Sequence, residues 1–322
     1  MNNFLEPFLL SISLVMLSNS LGLAQPKLVS PRAQISLITG APGSDLHTLF
    51  GHSAIRVYDP ATGLNILYNY GTFDFETPGF IRKFVQKRLM YFLSKSDYSR
   101  FLAYYQYYNR RVYEQVLDLT VEEKQEVVAF LENNYLPKNR FYLYDFYFDN
   151  CSSRIRDVLK KVLEERVQFD YVESRPRKSF RDLIDPYLSE PWVKLGIYLL
   201  LGATNDYKAR ADQYIFLPDH LMDAFDKAKL VNAGNKKPLV AQKISASGSM
   251  VSEPAYPLFN PYTLFWSIFG MMGLISWLGL RWGRHFYLID AFLYFILGLV
   301  GVLFIFLWFG TDHSQLSWNY NL

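Results

Sequence analysis

Cys151 is the only cysteine in the chain, and five histidines are available to partner it. A thiol nucleophile needs a base to take its proton, most often a histidine. A lone cysteine cannot form a disulfide within its chain, so it is either a buried bystander or a free thiol. Its neighbours decide between these. Asp149 and Asn150 are capping residue types, and Ile155, Val158, Leu159, Val162 and Leu163 recur behind them at helical spacing. A helix therefore starts near Cys151. The sulfur then sits in the first turn, where unpaired N–H groups and the positive end of the helix dipole favour a thiolate. The same N–H groups could receive an oxyanion formed on attack at an acyl carbon. Arg154 and Arg156 add positive charge nearby.

Among the histidines, His285 falls in a short connector between two apolar runs and His313 in the tail. His220 follows Leu217-Pro218-Asp219 and opens a helix, and His47 belongs to a loop. His52 follows Gly51 at the start of a strand, a rigid place for a base. If the hairpin that begins there turns at Pro60 to Thr62, residue 52 lies opposite about residue 70. Asn69 or Tyr70 then reaches the imidazole; Asn69 is favoured, and a one-residue slip of register exchanges them. Arg56 is either a solvated strand arginine or a phosphate contact, Asn150 either a cap or a site residue, and Arg154 a supporting cation. No cluster of Cys, His and carboxylate has metal-ligand spacing, so neither metal nor cofactor is expected.

The elements that must position these groups read as a mixture without regular alternation. Gln34 to Thr39, His52 to Tyr58, Leu64 to Tyr70 and Val112 to Leu119 are strand-like, the middle two forming a hairpin. Gly79 to Leu93 and Tyr98 to Asn109 read as helices. Thr120 with Glu123 is a capping-box pattern opening a helix to about Asn133. Tyr142 to Phe148 is extended and aromatic, and Phe180 to Lys229 mostly helical. The expected class is α+β. Half the residues are apolar and 17% aromatic, while the net charge of +3 gives no case for nucleic acid.

Residues 1–24 read as a signal peptide or an uncleaved N-terminal anchor, and either one exports the domain behind it. The domain occupies 25–231, followed by a polar linker, 232–257. Two apolar segments within 258–310, Tyr262 to Leu280 and Phe286 to Phe309, are each long enough to cross a bilayer. Two arginines in the connector at 281–285 mark it as the cytoplasmic turn. Residues 311–322 return outside, and their ending leaves room for further spans beyond Leu322.

Four blocks then carry a specific resemblance. Ala41-Pro42-Gly43 through Phe50-Gly51-His52-Ser53-Ala54-Ile55-Arg56, Tyr68-Asn69-Tyr70-Gly71-Thr72-Phe73, Asn109-Arg110, and Tyr144 through Asn150-Cys151 with Arg154 and Asp157, together with Phe216-Leu217-Pro218-Asp219, resemble the Lnb-type bacterial lipoprotein N-acyltransferases. That family is similar to circularly permuted papain-like (NlpC-like) folds and to lecithin:retinol acyltransferase-like enzymes, in which His on a strand precedes Cys on a helix. The resemblance implies that His52 is the base and Cys151 a nucleophile that takes a fatty acyl chain from a membrane phospholipid. The chain then passes to the α-amine of the N-terminal cysteine of a diacylated lipoprotein. It also implies an inner-membrane protein with its catalytic domain in the periplasm of a Gram-negative cell. The aromatic runs Tyr104 to Tyr108 and Phe141 to Phe148 are then candidates for an acyl groove or for core packing. Two other readings stand beside it: a cell-wall amidase or peptidase using the same Cys–His pair, and a non-catalytic sensor with a redox-active or structural thiol.

Overall fold

The computed structural model describes residues 28–171, 176–232, 234–247 and 258–316. The expected export segment, most of the second half of the expected linker and the end of the tail lie outside the described residues. The chain opens with β1 (Gln34–Gly40), followed by the expected hairpin of β2 (His52–Asp59) and β3 (Leu64–Thr72). Asp59 pins the turn, its buried carboxylate accepting from the Ser30 N–H at 2.7 Å and the Ala61 N–H at 3.0 Å.

Residues 79–93, expected to be helical throughout, divide into a short helix α1 (Phe80–Val85) and a strand β4 (Met90–Asp97). Lys87, at φ 59°, breaks the helix in the left-handed region. The chain then leaves along the free edge of β3, where backbone pairing outweighs helix propensity. Next come α2 (Tyr98–Tyr107), β5 (Val112–Leu117) and α3 (Val121–Tyr135). The Thr120 capping box is present, with Thr120 Oγ1 accepting from Glu123 N–H at 3.2 Å and Glu123 Oε2 from Thr120 N–H at 2.9 Å. A short β6 (Phe141–Leu143) leads to α4 (Cys151–Leu163), whose Ile155, Val158, Leu159 and Leu163 stripe is buried.

After β7 (Val167–Gln168) the chain runs through α5 (Phe180–Ile184), α6 (Pro191–Leu200) and α7 (Pro218–Lys227), interspersed with 3-10 turns. The expected linker is not a simple tether. It contains β8 (Lys229–Asn232, reaching into it), β9 (Asn235–Pro238) and β10 (Val240–Ser247). β10 has no apolar alternation to announce it because it pairs on one edge only, against β5, and its residues from Ala241 to Ser245 are exposed.

Among the described residues the main sheet has the order β10-β5-β1-β2-β3-β4-β6, and every pairing in it is antiparallel. This is an α+β arrangement. Side chains alternate across the sheet. One face carries Ile35, Leu37, Ile55, Val57, Tyr68 and Tyr70 and is covered by α3, α4 and α7. The other carries Ile38, Ala54, Leu67 and Val112 beneath Tyr98 and Tyr105 of α2. Burying one such side chain fully contributes about 1.5–3 kcal/mol. A second apolar centre packs Phe180, Leu183, Ile184, Tyr214 and Phe216 around Tyr147.

Beyond the domain, α8 (Pro261–Trp282) and α9 (Tyr287–Phe309) are 22 and 23 residues long, apolar and almost wholly exposed. Each exceeds the roughly 20 residues that cross a bilayer, and together they form a membrane hairpin with the arginines at its turn. Residues just past α9 return to the domain: the Gln315 carbonyl accepts from Gly202 N–H at 2.9 Å, and Gln315 Nε2 donates to Asp145 Oδ1 at 2.9 Å.

Candidate active site

Asn150 is the N-cap of α4, and its side chain organises the start of the helix. Oδ1 accepts from the N–H groups of Ser152 and Ser153, both at 2.9 Å. Nδ2 donates to the carbonyls of Phe146 and Phe216 at 2.8 and 2.7 Å. Asn150 is buried, so its geometry makes it a cap rather than a group facing a ligand. Arg154 N–H is taken by the Asn150 carbonyl at 3.1 Å. Of the first N–H groups of α4, that of Cys151 keeps no acceptor among the described residues.

Cys151 is therefore the first residue of the helix, buried at 9% exposure. A neighbouring contact locks α4 against β2, where Ser152 Oγ lies 3.0 Å from Ser53 Oγ. His52 opens β2 immediately beside this contact. Gly51 before it has φ 77°, and a Cβ there would fall 2.6 Å from the Gly40 carbonyl oxygen, so only glycine lets the strand start at this point.

The His52 ring is held from two sides. Asn69 Oδ1 lies 3.3 Å from His52 Nε2, and Asn69 Nδ2 donates to Ser96 Oγ at 2.9 Å, which leaves the amide oxygen facing the ring. The other ring nitrogen is then the one left for Cys151, whose charge acts on the imidazole. The observed register pairs Ile55 with Tyr68 and Asp59 with Leu64. Continued to the start of the strand, it sets His52 opposite Gly71, one residue on from the expected position 70. Asn69 is the same-face diagonal neighbour. Tyr70 points to the opposite face, where its hydroxyl donates to Asn134 Oδ1 at 2.6 Å.

Burial raises the Cys151 thiol. The attraction of His52, its hydrogen bond, the Ser53 N–H and the Ser152 hydroxyl together outweigh that, and the thiol titrates below the ordinary cysteine value. Burial lowers the imidazole, while the charge of Cys151 and the bonds to Cys151 and Asn69 raise it above the ordinary histidine value, against opposition from Arg110. The two shifts have one cause, the stability of a thiolate–imidazolium pair, and the protons belong to the pair rather than to either residue.

The remaining candidates serve elsewhere. Arg56 is a half-buried partner of Glu114 at 2.9 Å, bonds Asn65 Oδ1 at 2.8 Å and lies 3.8 Å over the Tyr98 ring. Its charge is spent inside the sheet. Arg154 pairs with Asp149 at 2.5 and 2.8 Å and stacks 3.4 Å over the Tyr142 ring, bracing the loop ahead of Cys151. Arg110, noted in the sequence only within the resemblance and given no place at the site, is buried, bonded through Nε to the Ala41 carbonyl at 3.0 Å, and 4.3 Å over the Tyr105 ring. Tyr105, read in the sequence only as part of an aromatic run for an acyl groove or core packing, also reaches the site; burial pushes its phenol up to about 12, against Arg110, and with a further push from Cys151. Neither has a local motif: they reach the site only because α2 folds back across the sheet. An open cavity of about 450 Å3 on this side is lined by His52, Asn69, Ser96, Arg100, Tyr104 and Arg110. No group of three His, Cys, Asp or Glu side chains with metal-ligand geometry occurs among the described residues.

A family model described as the Lnb N-terminal periplasmic domain matches residues 26–185. A second, described as the Lnb transmembrane domain, matches residues 253–322. Neither a curated protein nor a solved structure matches the chain. The first match contains both Cys151 and His52, the second contains both apolar helices, and they follow one another in the order the fold requires. The chain belongs to the Lnb family of lipoprotein-maturing membrane proteins, with a periplasmic domain carried on membrane spans.

Proposed function

We propose that this protein is a cysteine-dependent lipoprotein N-acyltransferase of the inner membrane, with a circularly permuted papain-like arrangement of Cys151, His52 and Asn69. The observation that carries the reading is the coupling of a thiol at a helix start to a histidine that is itself oriented by an amide. Cys151 attacks the ester carbonyl of a phospholipid acyl chain; the C–S bond forms, the C–O bond breaks, and the departing alkoxide takes its proton from His52. The α-amine of a diacylated lipoprotein's N-terminal cysteine then attacks the thioester, His52 accepts the amine proton, and the sulfur leaves as thiolate. The Cys151 N–H, without an acceptor, is the donor offered to the oxyanion in both halves.

Intact mass after incubation with phospholipid tests the first half. Wild-type protein is expected to gain one fatty-acyl mass that hydroxylamine removes and that Cys151→Ala never acquires. Cleavage of muropeptides without an acyl adduct would instead establish an amidase or peptidase, and full activity of Cys151→Ala in cells would remove the thiol from the mechanism altogether.

A further inference from the structure

One cavity is lined by His52 itself, and a second lies on the far side of Tyr144. The open one on the His52 side sets the polar groups of Asn69, Ser96, Arg100 and Arg110 among a largely apolar lining that includes Phe101, Tyr104 and Tyr105. The second, of about 280 Å3, is walled by Phe84, Leu89, Tyr91, Tyr144, Phe146 and Leu201. That volume stands at the lower edge of the roughly 300–1,000 Å3 typical of ligand sites. Its charged neighbour, Lys87, is already paired with Asp145.

Tyr144 is the partition between this cavity and the thiol. A Cβ on Gly71 would lie 3.5 Å from the Tyr144 ring and 3.9 Å from Cys151 Cβ, so ring and thiol share one junction. On its other side Tyr144 stacks on Tyr91 with ring centroids 4.6 Å apart.

The outer walls carry exposed apolar surface. α1 buries none of its residues, and Phe75, Ile81 and Phe84 are 73%, 76% and 49% exposed. Phe75 and Phe84 both contact the Phe80 ring, giving a continuous exposed aromatic surface. This surface is fastened to the end of a span. His313 Nε2 lies 3.1 Å from the Phe84 carbonyl, and Arg88 pairs with Asp312 at 3.0 Å, only a few residues beyond Phe309, where α9 ends. Leu201, on the opposite wall, caps α6, another helix with no buried residue. Trp192 of α6 donates to the Phe259 carbonyl at 3.2 Å, just before α8 begins. Both walls therefore stand where the spans meet the domain.

We propose that this apolar cavity holds one acyl chain of a membrane lipid, which leaves the bilayer between α1 and the end of α6 and brings its ester to Cys151 across Tyr144. The assignment rests on the acyl-transfer reading for its catalytic consequence but not for chain occupancy. It separates the roles of the two cavities: the chain lies beyond Tyr144, and the open side near His52, where Asn69, Ser96 and Arg110 offer polar groups, is left for the amine acceptor. Of the two aromatic runs, Phe141 to Phe148 supplies the chain site, whereas Tyr104 to Tyr108 borders the open cavity beside His52.

Full-length Cys151→Ala protein in vesicles of phosphatidylethanolamine and phosphatidylglycerol, doped with a phospholipid bearing a terminal diazirine on one chain, reads occupancy without chemistry. Irradiation and peptide mapping are expected to place crosslinks on residues 84–91, 144–146 and 201, as well as on α8 and α9. Crosslinks confined to α8 and α9 overturn the proposal. In the active enzyme, Leu201→Trp narrows the cavity and is expected to shift adduct formation at least tenfold toward shorter acyl donors, while iodoacetamide still labels Cys151 at the parent rate. Equal loss with short and long donors overturns it. Cavity crosslinks in a protein that forms no acyl adduct from any donor uphold chain binding and sink the transfer reading instead.

Discussion

Removing the imidazole isolates what the fold alone does to the thiol. In His52→Ala the attraction, the shared hydrogen bond and the imidazolium charge all vanish, while burial, which raises the thiol, remains. Alkylation of Cys151 by iodoacetamide at neutral pH should slow at least tenfold, and its pH midpoint should move up toward the ordinary thiol range. Acyl transfer itself should trace a bell in the parent protein. Because the thiol is lowered and the imidazole raised, the ion pair is favoured over the neutral pair, and its pH range is extended at both ends. Activity is lost on the acid side as the thiolate takes a proton and on the alkaline side as the imidazolium gives one up. Asn69 acts through His52, so Asn69→Ala should lower the transfer rate by about ten- to a hundredfold, well within the ~10²–10⁴-fold contribution of general acid–base catalysis. It should also move the alkaline limb to lower pH, because the Asn69 bond raises the imidazole. An unmoved limb in kcat against pH would reduce Asn69 to a packing role.

The elements that carry these groups depend on polar contacts that are costly to break. Asn150→Ala removes an N-cap, worth about 0.5–2 kcal/mol, and also leaves the Phe146 and Phe216 carbonyls without their donor. Thermal unfolding should report a loss above that cap range. Asn150→Ser, able to cap but not to bridge, should fall between alanine and the parent; if it equals alanine, the cap contributes nothing separable. Glu114→Ala removes the partner of the half-buried Arg56 guanidinium and should destabilise the domain by about 1–3 kcal/mol in chemical denaturation. The same elements show what the sequence made legible. Thr120 with Glu123, and Asn150 ahead of the Ile155–Leu159 stripe, are local signals and mark their helices correctly. β4 was hidden because its pairing partner, not its own pattern, makes it a strand. β10 was hidden because an exposed edge needs no apolar alternation. The pair His52 and Asn69 was legible through the hairpin, since a register error of one residue still left Asn69 on a face within reach. Arg110 and Tyr105 were not, because only the packing of α2 over the sheet brings them there.

At the scale of the whole molecule, the loop ahead of Cys151 and the hairpin of α8 and α9 are one connected piece. Asp145, which accepts from the Tyr147 and Phe148 N–H groups at 3.0 and 3.1 Å, also accepts from Gln315 beyond α9. Gln315→Ala should leave Cys151 alkylation close to the parent rate but reduce transfer from bilayer phospholipid severalfold, a split measured by comparing vesicle-borne with detergent-dispersed donor. Equal rates with both donors would detach the tail from catalysis.

β10 has a consequence in time as well as in space. It closes the outer edge of β5, and an open edge invites pairing with other chains. Synthesis runs from the N-terminus, so β5 emerges well before the strand that shields it. A chain ending before Val240 should therefore aggregate. In the full chain the interval of exposure ends only as α8 approaches the bilayer, so closure of the catalytic sheet and arrival at the membrane become neighbouring steps of biogenesis.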